Sequence, residues 1–326
     1  MPGSKRLCVR FFAALVLTGA LLLLSVAVGR YPILWEEVLE DTLSRRVLLT
    51  LRLPRTLMAL TAGFGLGVAG GTYQTVFQNP LASPDVIGVS SGASAGAAAA
   101  ILFLDGGLAC VTLAAFTGGF LAVLSALALA SAAQGRGMNT IVLSGIAVNA
   151  VSQALLMLMK LAGDPERHLA AIEFWTMGSF ADVTLRHFLA VLPWAALGLA
   201  GLLLLHRQVL LLGLEPDEAH MLGVPVQGMR YLVLLLATLV TGAVVSVTGL
   251  ISFVGLLAPH IARLITRSSR FSTVMLSGVT GGALLLASDI LARSIGSSEV
   301  PVSVVTSLLG APFLFWLMCR REAGHG

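Results

Sequence analysis

Long apolar runs, repeated along the whole chain, constrain this sequence more than any other feature. Runs of about 18 to 22 mostly apolar residues are long enough, at 1.5 Å per residue, to cross a hydrocarbon core of roughly 30 Å. About ten such runs occur, centred near residues 20, 67, 101, 121, 150, 197, 239, 258, 284 and 311. With 57% hydrophobic and 11% charged residues, the chain cannot present ordinary water-facing surfaces. We predict an all-α polytopic membrane protein, with residues 1–326 forming a single transmembrane domain.

Basic residues set the predicted orientation. The net charge of +4 comes from arginines near the ends of spans, and such residues favour the cytoplasmic side. Ten crossings place the basic head (5–10) and the basic tail (320–321) together in the cytoplasm. The external stretch 45–55 conflicts with this rule because it carries four arginines. The first run could be a cleaved signal peptide, but the many later runs favour a retained first span.

Two polar segments are predicted to lie on the outer side. The segment 35–55 carries an acidic patch (36–41) followed by the arginines, and its leucine spacing allows a short interfacial helix. The segment 163–186 is predicted to be a second outer loop. Three cysteines, far apart, have neither disulfide-like nor metal-like spacing.

Glycine is abundant, at 35 residues, and many of these glycines lie inside predicted spans. Glycines four residues apart share one helix face, and such faces let backbones approach closely in lipid, where no hydrophobic effect draws helices together. We expect close packing at three faces, formed by Gly63, Gly67 and Gly71, by Gly92 and Gly96, and by Gly278 and Gly282.

Two proline motifs are expected to bend or interrupt helices. In FQNPLASPDVIG (77–88), the prolines predict a stiff re-entrant or kinked turn. In APHIAR (258–263), Pro259 is expected to kink or start a helix. His260, three residues before Arg263, is interpreted as a satisfied hydrogen-bonding group rather than a metal ligand.

The energy source is partly constrained by what the sequence lacks. A phosphate-binding loop ends in Gly-Lys-Ser/Thr, yet the two lysines, Lys5 and Lys160, do not follow glycine. The chain is therefore not predicted to be a P-loop ATPase itself.

Asp289 is the one acid well inside a late span, and Arg293 lies four residues on, so the two can pair on one helix face. A structural pair is favoured over a proton relay, although a proton-coupled secondary transporter stays an alternative of a different class.

The segment 212–230 is amphipathic and punctuated by helix boundaries. Pro216 can open a helix, Glu218 can lie in its first turn, and Gly223 with Pro225 can close it. The local sequence allows either a protruding surface helix that contacts a partner protein or an ordinary interhelical loop.

Seven motifs in order resemble the FecCD-type permeases of ABC importers for iron–siderophore complexes, haem and cobalamin. They are LRLPRTL, QNPLASPDVIGVSSGA, EFWTMGSF, EAHMLGV, GLLAPHIAR, SDILAR and EVPVSVVTSLLGAPF, from Leu51 onward. The chain departs mildly from the family pattern at 267–270 and at 300–303.

The resemblance implies a type II ABC importer permease in a bacterial or archaeal inner membrane. It implies a homodimer of ten-helix subunits, lying in the lipid bilayer, with the substrate path between them. The expected partners are separate ATPase subunits, which bind ATP and Mg, and a periplasmic or lipid-tethered binding protein. No nucleic acid and no cofactor or metal bound by this chain are expected. The first-choice cargo is an iron chelate (siderophore), with haem, cobalamin and oxyanions such as molybdate as alternatives.

The resemblance also assigns roles to residues. The helix around Glu218 is similar to the coupling helix that docks on the ATPase, and the fifth and tenth spans are similar to pore-lining helices. The resemblance implies three sets of residues: Glu218, Ala219, Leu222 and Gly223 for ATPase coupling; Arg52, Arg55 and Arg293, facing outward, for docking of the binding protein; and Met138 and Asn139 for the inner gate.

Overall fold

The chain folds into a bundle of helices whose order follows the predicted spans. The computed structural model describes residues 2–29, 31, 43–104, 107–133, 137–267, 270–295 and 299–322. These residues contain no β-strand. The helices are α1 (Pro2–Ala27), α2 (Leu43–Arg46), α3 (Leu53–Val76), α4 (Val89–Phe103), α5 (Leu108–Ala132), α6 (Met138–Ala162), α7 (Ala170–Met177), α8 (Leu185–Leu204), α9 (His206–Leu211), α10 (Pro216–Met221), α11 (Val226–Thr248), α12 (Val254–Thr266), α13 (Phe271–Ser294) and α14 (Val302–Glu322).

The helices confirm the predicted multi-pass membrane architecture. Seven of the described helices are long and apolar enough to cross a membrane by length and composition: α1, the continuous helix Leu43–Val76 that contains α2 and α3, and α5, α6, α8, α11 and α13. Three shorter apolar helices are α4, α12 and the apolar part of α14, Val302–Leu317. A helix lies at each of the ten predicted centres. We call the end of the bundle where α1 begins the inner end.

Helix α3 lies at the centre of the bundle because small residues let its neighbours approach. A Cβ added at Gly67 would lie 2.1 Å from the carbonyl oxygen of Ser277 in α13, and one added at Gly63 would lie 2.3 Å from that of Gly281. The α4–α5 contact is built in the same way, since a Cβ at Gly96 would lie 2.1 Å from the oxygen of Ala114. These distances confirm the predicted close-packing faces, although Gly71 has more space, with its nearest neighbour atoms at 3.4 Å.

The segment 35–55 differs in part from the prediction. Leu43–Val76 is one unbroken helix, with a π-helical turn at Val47–Arg52, so the arginines from Arg45 to Arg55 lie on the first turns of a long helix and not in a loop. The helix continues through Pro54, which lies directly after the π-helical turn, where the regular i→i−4 bonding that proline would interrupt has already changed. The acidic patch at 36–41 lies outside the described residues.

The first proline motif forms the interruption that was expected, whereas the second lies within a helix and does not start one. After α3 the chain turns, forms a 3₁₀ turn at Pro84–Ile87, and enters α4 through Gly88, whose φ of +85° is left-handed. Pro259 lies inside α12, and His260 is buried, with its Nδ1 2.8 Å from the carbonyl oxygen of Leu256. The interpretation of His260 as a satisfied group is therefore confirmed.

Helix α1 is held in the bundle by polar contacts as well as by apolar ones. Its Thr18 hydroxyl donates to the carbonyl oxygen of Val279 at 3.4 Å, and the hydroxyls of Ser25 and Thr56 are 2.8 Å apart. These buried contacts attach α1 to α13 and α3.

Candidate functional site

Helix α10 is a short helix whose two ends follow local rules. Pro216 occupies its first turn with Asp217 and Glu218, where acidic side chains interact favourably with the helix dipole. At the other end Gly223 has φ +81°, and its N–H donates to the carbonyl oxygen of His220 at 2.9 Å. The N–H of Val224 donates to the oxygen of Ala219 at 3.1 Å, which completes a Schellman motif. The predicted opening and closing residues are confirmed.

The surface of α10 projects away from the bundle. Residues 213–223 are exposed except Ala219, which is fully buried and seats the helix. Met221 is 86% exposed and Leu222 is 61% exposed, beside the exposed carboxylates of Asp217 and Glu218. Of the four residues predicted to couple to an ATPase, Glu218, Leu222 and Gly223 are available to a partner, whereas Ala219 can act only by positioning the others.

A buried ion cluster lies at the outer end of the bundle. Arg55 Nε donates to Asp289 Oδ1 at 2.9 Å, and Arg55 Nη1 reaches both oxygens of Glu299 at 3.1 and 2.9 Å. Arg293 Nε lies 3.4 Å from Asp289 Oδ2, an ion pair without the geometry of a hydrogen bond. Asp289 is fully buried, while the Glu299 side chain is 33% exposed. The predicted Asp289–Arg293 pair is confirmed, and Arg55 and Glu299 extend it.

Arg293 of this cluster and the nearby Arg52 cap the end of α1. Arg52 Nη1 donates to the carbonyl oxygens of Val26 and Ala27 at 3.0 and 2.6 Å. Arg293 Nη2 donates to the Ser25 carbonyl oxygen at 2.8 Å. The last carbonyls of a helix have no partner within it, and arginine can satisfy them. These contacts therefore join α1, α3, α13 and Glu299, which lies three residues before α14.

This burial differs from the expectation that Arg52, Arg55 and Arg293 face outward. Their exposed fractions are 5%, 9% and 6%, and their donors are bound to groups of the same chain. The three side chains are buried because each guanidinium donates hydrogen bonds to carbonyl or carboxylate oxygens of residues far away in the sequence. Their contact with a binding protein stays a prediction, and it would require those internal partners to be displaced.

The predicted inner gate lies at the start of α6. Gly137 precedes the helix, Met138 is half-buried against the core, and Asn139 is exposed. One face of α6 is left uncovered along its length, with Leu143 at 66% and Met157 at 66% exposure. Helix α14 is also uncovered, with Leu308 at 71% exposure. The two helices predicted to line a path between subunits thus both have uncovered apolar surfaces.

A polar cavity of about 280 Å³ lies beside the start of α4, and sequence reasoning missed it. Asp85, Ser90, Thr241 and Ser252 line it. The Ser90 hydroxyl donates to the Asp85 carboxylate. The Asp85 side chain is accessible to a water-sized molecule in the cavity but has protein around it. This incomplete solvation raises the pKa of the Asp85 carboxyl, against hydrogen bonds from Ser90 and Ser83 that lower it.

Glu299 was also missed as a member of the outer cluster. The sequence offered one indication of its role, because Glu299 is an acid two residues before the proline that precedes the last span.

Among the described residues, no group of three or more His, Cys, Asp or Glu side chains is arranged to hold a metal ion.

Comparison with known proteins agrees with this geometry. The sequence model of the FecCD transport family matches residues 16–320, nearly the whole chain. The chain belongs to the FecCD transport family. It is therefore a permease subunit of a type II ABC importer.

Relatives of this FecCD permease are named for different substrates. It is 37% identical to the cobalamin import system permease protein BtuC of Halobacterium salinarum, over 84% of this chain and 73% of that protein. It is 33% identical to the molybdate import system permease protein MolB of Haemophilus influenzae, over 95% of this chain and 94% of that protein. A solved metal-chelate type ABC transporter in an inward-facing conformation matches with a TM-score of 0.86 and 31% identity, covering 96% of this chain and 99% of that chain.

Proposed function

We propose that this chain, as one transmembrane domain over residues 1–326, carries an iron chelate (siderophore) across the inner membrane and is driven by ATP hydrolysis on separate subunits. The observation that carries the proposal is α10. Large apolar side chains beside carboxylates on an exposed, well-capped helix form a compact surface for a partner protein. ATP and Mg would bind to the ATPase partners and not to this chain.

The substrate path is proposed to lie between two copies of the chain. The uncovered faces of α6 and α14 support this, because a second copy would cover apolar residues that a single chain leaves exposed. Met138 and Asn139 would then meet their counterparts near the dimer axis and close the inner end. The termini would lie in the cytoplasm, on the side of α10.

An iron chelate is the first choice of cargo. Relatives named as probable iron chelatin permeases, from Helicobacter pylori, are 35% and 34% identical to this chain. Cobalamin is the second candidate because a 37% identical relative is named for it. Haem and molybdate are also named among relatives of similar identity.

The binding protein is proposed to dock at the outer end, close to the ion cluster. Glu299 is the most accessible member of that cluster, and it holds Arg55 by two hydrogen bonds. A carboxylate from the binding protein would compete with Glu299 for Arg55. Charge reversal of Arg55 should therefore weaken docking in a salt-sensitive manner.

Charge reversal on α10 tests the coupling role. Glu218→Arg, in the full chain reconstituted with its ATPase and binding protein, should abolish binding-protein-stimulated ATP hydrolysis and leave membrane insertion intact. Glu166→Arg is the matched control, since Glu166 is also exposed but lies in the outer segment 163–186. Stimulated hydrolysis that survives Glu218→Arg would contradict the proposal.

Uptake by proteoliposomes tests the cargo separately. Vesicles that contain the permease, ATPase and binding protein should accumulate a ferric siderophore on addition of ATP, and should accumulate less cobalamin, haem or molybdate. Preferred uptake of cobalamin would favour the second candidate and leave the coupling role unaffected. Uptake by the permease alone under a proton gradient would contradict the ATP-driven mechanism itself.

A further inference from the structure

A long apolar cleft between α1, α12 and α13 lies outside every site described above. It encloses about 500 Å³ and opens to the side of the bundle. Small and apolar side chains line most of it, including Ala13, Ala14, Leu17, Ile265, Ala283 and Ala287. The cleft stays open because the alanines on α1 and α13 have side chains too small to fill the space between the two helices.

The hydroxyl groups in the cleft walls already form hydrogen bonds within the protein. The Thr18 hydroxyl donates to the carbonyl oxygens of Ala14 and Val279. The Thr280 hydroxyl lies 3.0 Å from the carbonyl oxygen of Ala258. A hydrophilic solute would lose its water in this cleft without gaining hydrogen bonds from these walls, whereas a hydrocarbon chain would lose nothing.

The length of the cleft matches one leaflet of a bilayer. On α1 the lining runs from Arg10 to Leu21. At 1.5 Å per residue this is about 16 Å, close to half of a hydrocarbon core of roughly 30 Å. Helix α1 is mostly uncovered, with Phe12 at 68% and Val16 at 54% exposure, so lipid can reach the opening of the cleft.

A positive charge lies at the inner end of the cleft. Arg10 is exposed, and its Nη1 donates to the carbonyl oxygen of Ile265 at 2.6 Å. This bond uses one of the five N–H donors of the guanidinium. Among the described residues no carboxylate pairs with Arg10. Arg10 lies at the start of the candidate span Val9–Ala27, and the start of a span is where lipid phosphates are expected.

We propose that this cleft binds an anionic phospholipid, with one acyl chain between α1, α12 and α13 and the phosphate at Arg10. The occupant follows from the combination of an apolar channel one leaflet long and, at its end, an exposed cation that pairs with no carboxylate of the described residues. The lipid would fill the space between α1 and the rest of the bundle and would fix α1 against α13. This site is independent of the proposed transport function.

Native mass spectrometry of the full chain tests the proposal. The protein is reconstituted with equal amounts of phosphatidylglycerol and phosphatidylcholine, extracted in mild detergent, and the retained lipids are counted. The wild type should retain phosphatidylglycerol preferentially. Arg10→Gln should reduce that preference about fivefold, the effect of one basic residue near a membrane surface. Ala287→Phe, which fills the cleft, should remove the retained lipid whatever its headgroup.

Matched controls separate this site from general effects on lipid binding. Arg207→Gln removes an exposed arginine on α9, and Ala20→Phe adds bulk to an exposed position of α1 that does not line the cleft. Both should retain lipid as the wild type does. The milder Ala14→Leu should reduce the retained lipid if Ala287→Phe proves unstable. Wild-type headgroup preference in Arg10→Gln would overturn the proposal. The proposal would also be overturned if the cleft-filling variants kept their lipid but no longer formed a dimer. The occupant of the cleft would then be a second copy of the chain.

Discussion

Neutralising Asp289 is the most direct test of the buried outer cluster. The carboxylate is fully buried and lies 2.9 Å from Arg55 Nη2 and 3.4 Å from Arg293 Nε. Asp289→Asn keeps the approximate shape of the side chain, but it removes the charge and replaces one acceptor oxygen with a donor NH2 group. Arg55 keeps Glu299 as a directly bonded counter-ion, whereas Arg293 keeps hydrogen bonds only to carbonyl and hydroxyl oxygens at the end of α1. Leaving a buried charge without its partner costs about 3–5 kcal/mol.

The assay is the unfolding temperature of the purified protein in detergent, followed by intrinsic fluorescence. A loss of 3–5 kcal/mol corresponds to a decrease on the order of 5–10 °C for a chain of a few hundred residues. Glu173→Gln is the control. Lys160 and Glu173 are only 2.7 Å apart, closer than any pair in the cluster, but their side chains are 26% and 45% exposed. An exposed pair contributes about 1 kcal/mol or less, so the control should shift the unfolding temperature little.

A double variant distinguishes lost charge pairing from a general packing defect. Adding Arg293→Gln to Asp289→Asn removes the unpaired charge and leaves Arg55 with Glu299. The double variant should then be more stable than the sum of the two single effects predicts, by about 2 kcal/mol, because residues in one ion-pair network couple. Additive effects, or an equal loss of stability in Glu173→Gln, would refute the reasoning that burial determines the strength of this cluster.

Three further predictions concern backbone packing, helix capping and titration. Gly67→Ala should destabilise the protein by about 1–3 kcal/mol, because its Cβ would lie 2.1 Å from the backbone oxygen of Ser277; Gly19→Ala on α1, with no atom within 4 Å, should not lower the unfolding temperature. Gly223→Val should increase hydrogen exchange in α10 because a β-branched residue resists φ +81°, whereas Gly223→Asn should keep near wild-type protection. The raised pKa of Asp85 means that the folded protein binds this proton more tightly than the unfolded chain does, so this group lowers stability as pH rises from about 4 through the folded pKa. Asp85→Asn should remove that part of the pH dependence measured by thermal unfolding, and an unchanged pH profile would count against the assignment.

The sequence by itself determined the helices and their order. The length of an apolar run decides whether a segment can cross a membrane, and this length can be read directly from consecutive residues in the sequence. The same is true of α10, where Pro216 and Gly223 act through the backbone conformation of their own positions. The glycine faces at Gly63 and Gly67 were also readable, because four-residue spacing places both on one side of any helix.

The tertiary structure alone decided what the charged residues contact. Arg55 and Asp289 are 234 residues apart, and no local pattern indicates that they meet. Arg52, read as an outward-facing group, instead caps α1, since the end of that helix lies within reach only after the bundle has formed. The cleft between α1, α12 and α13 likewise exists only where three distant segments leave space between them. Helix formation depends on neighbours in sequence, whereas ion pairing and cavities depend on neighbours in space.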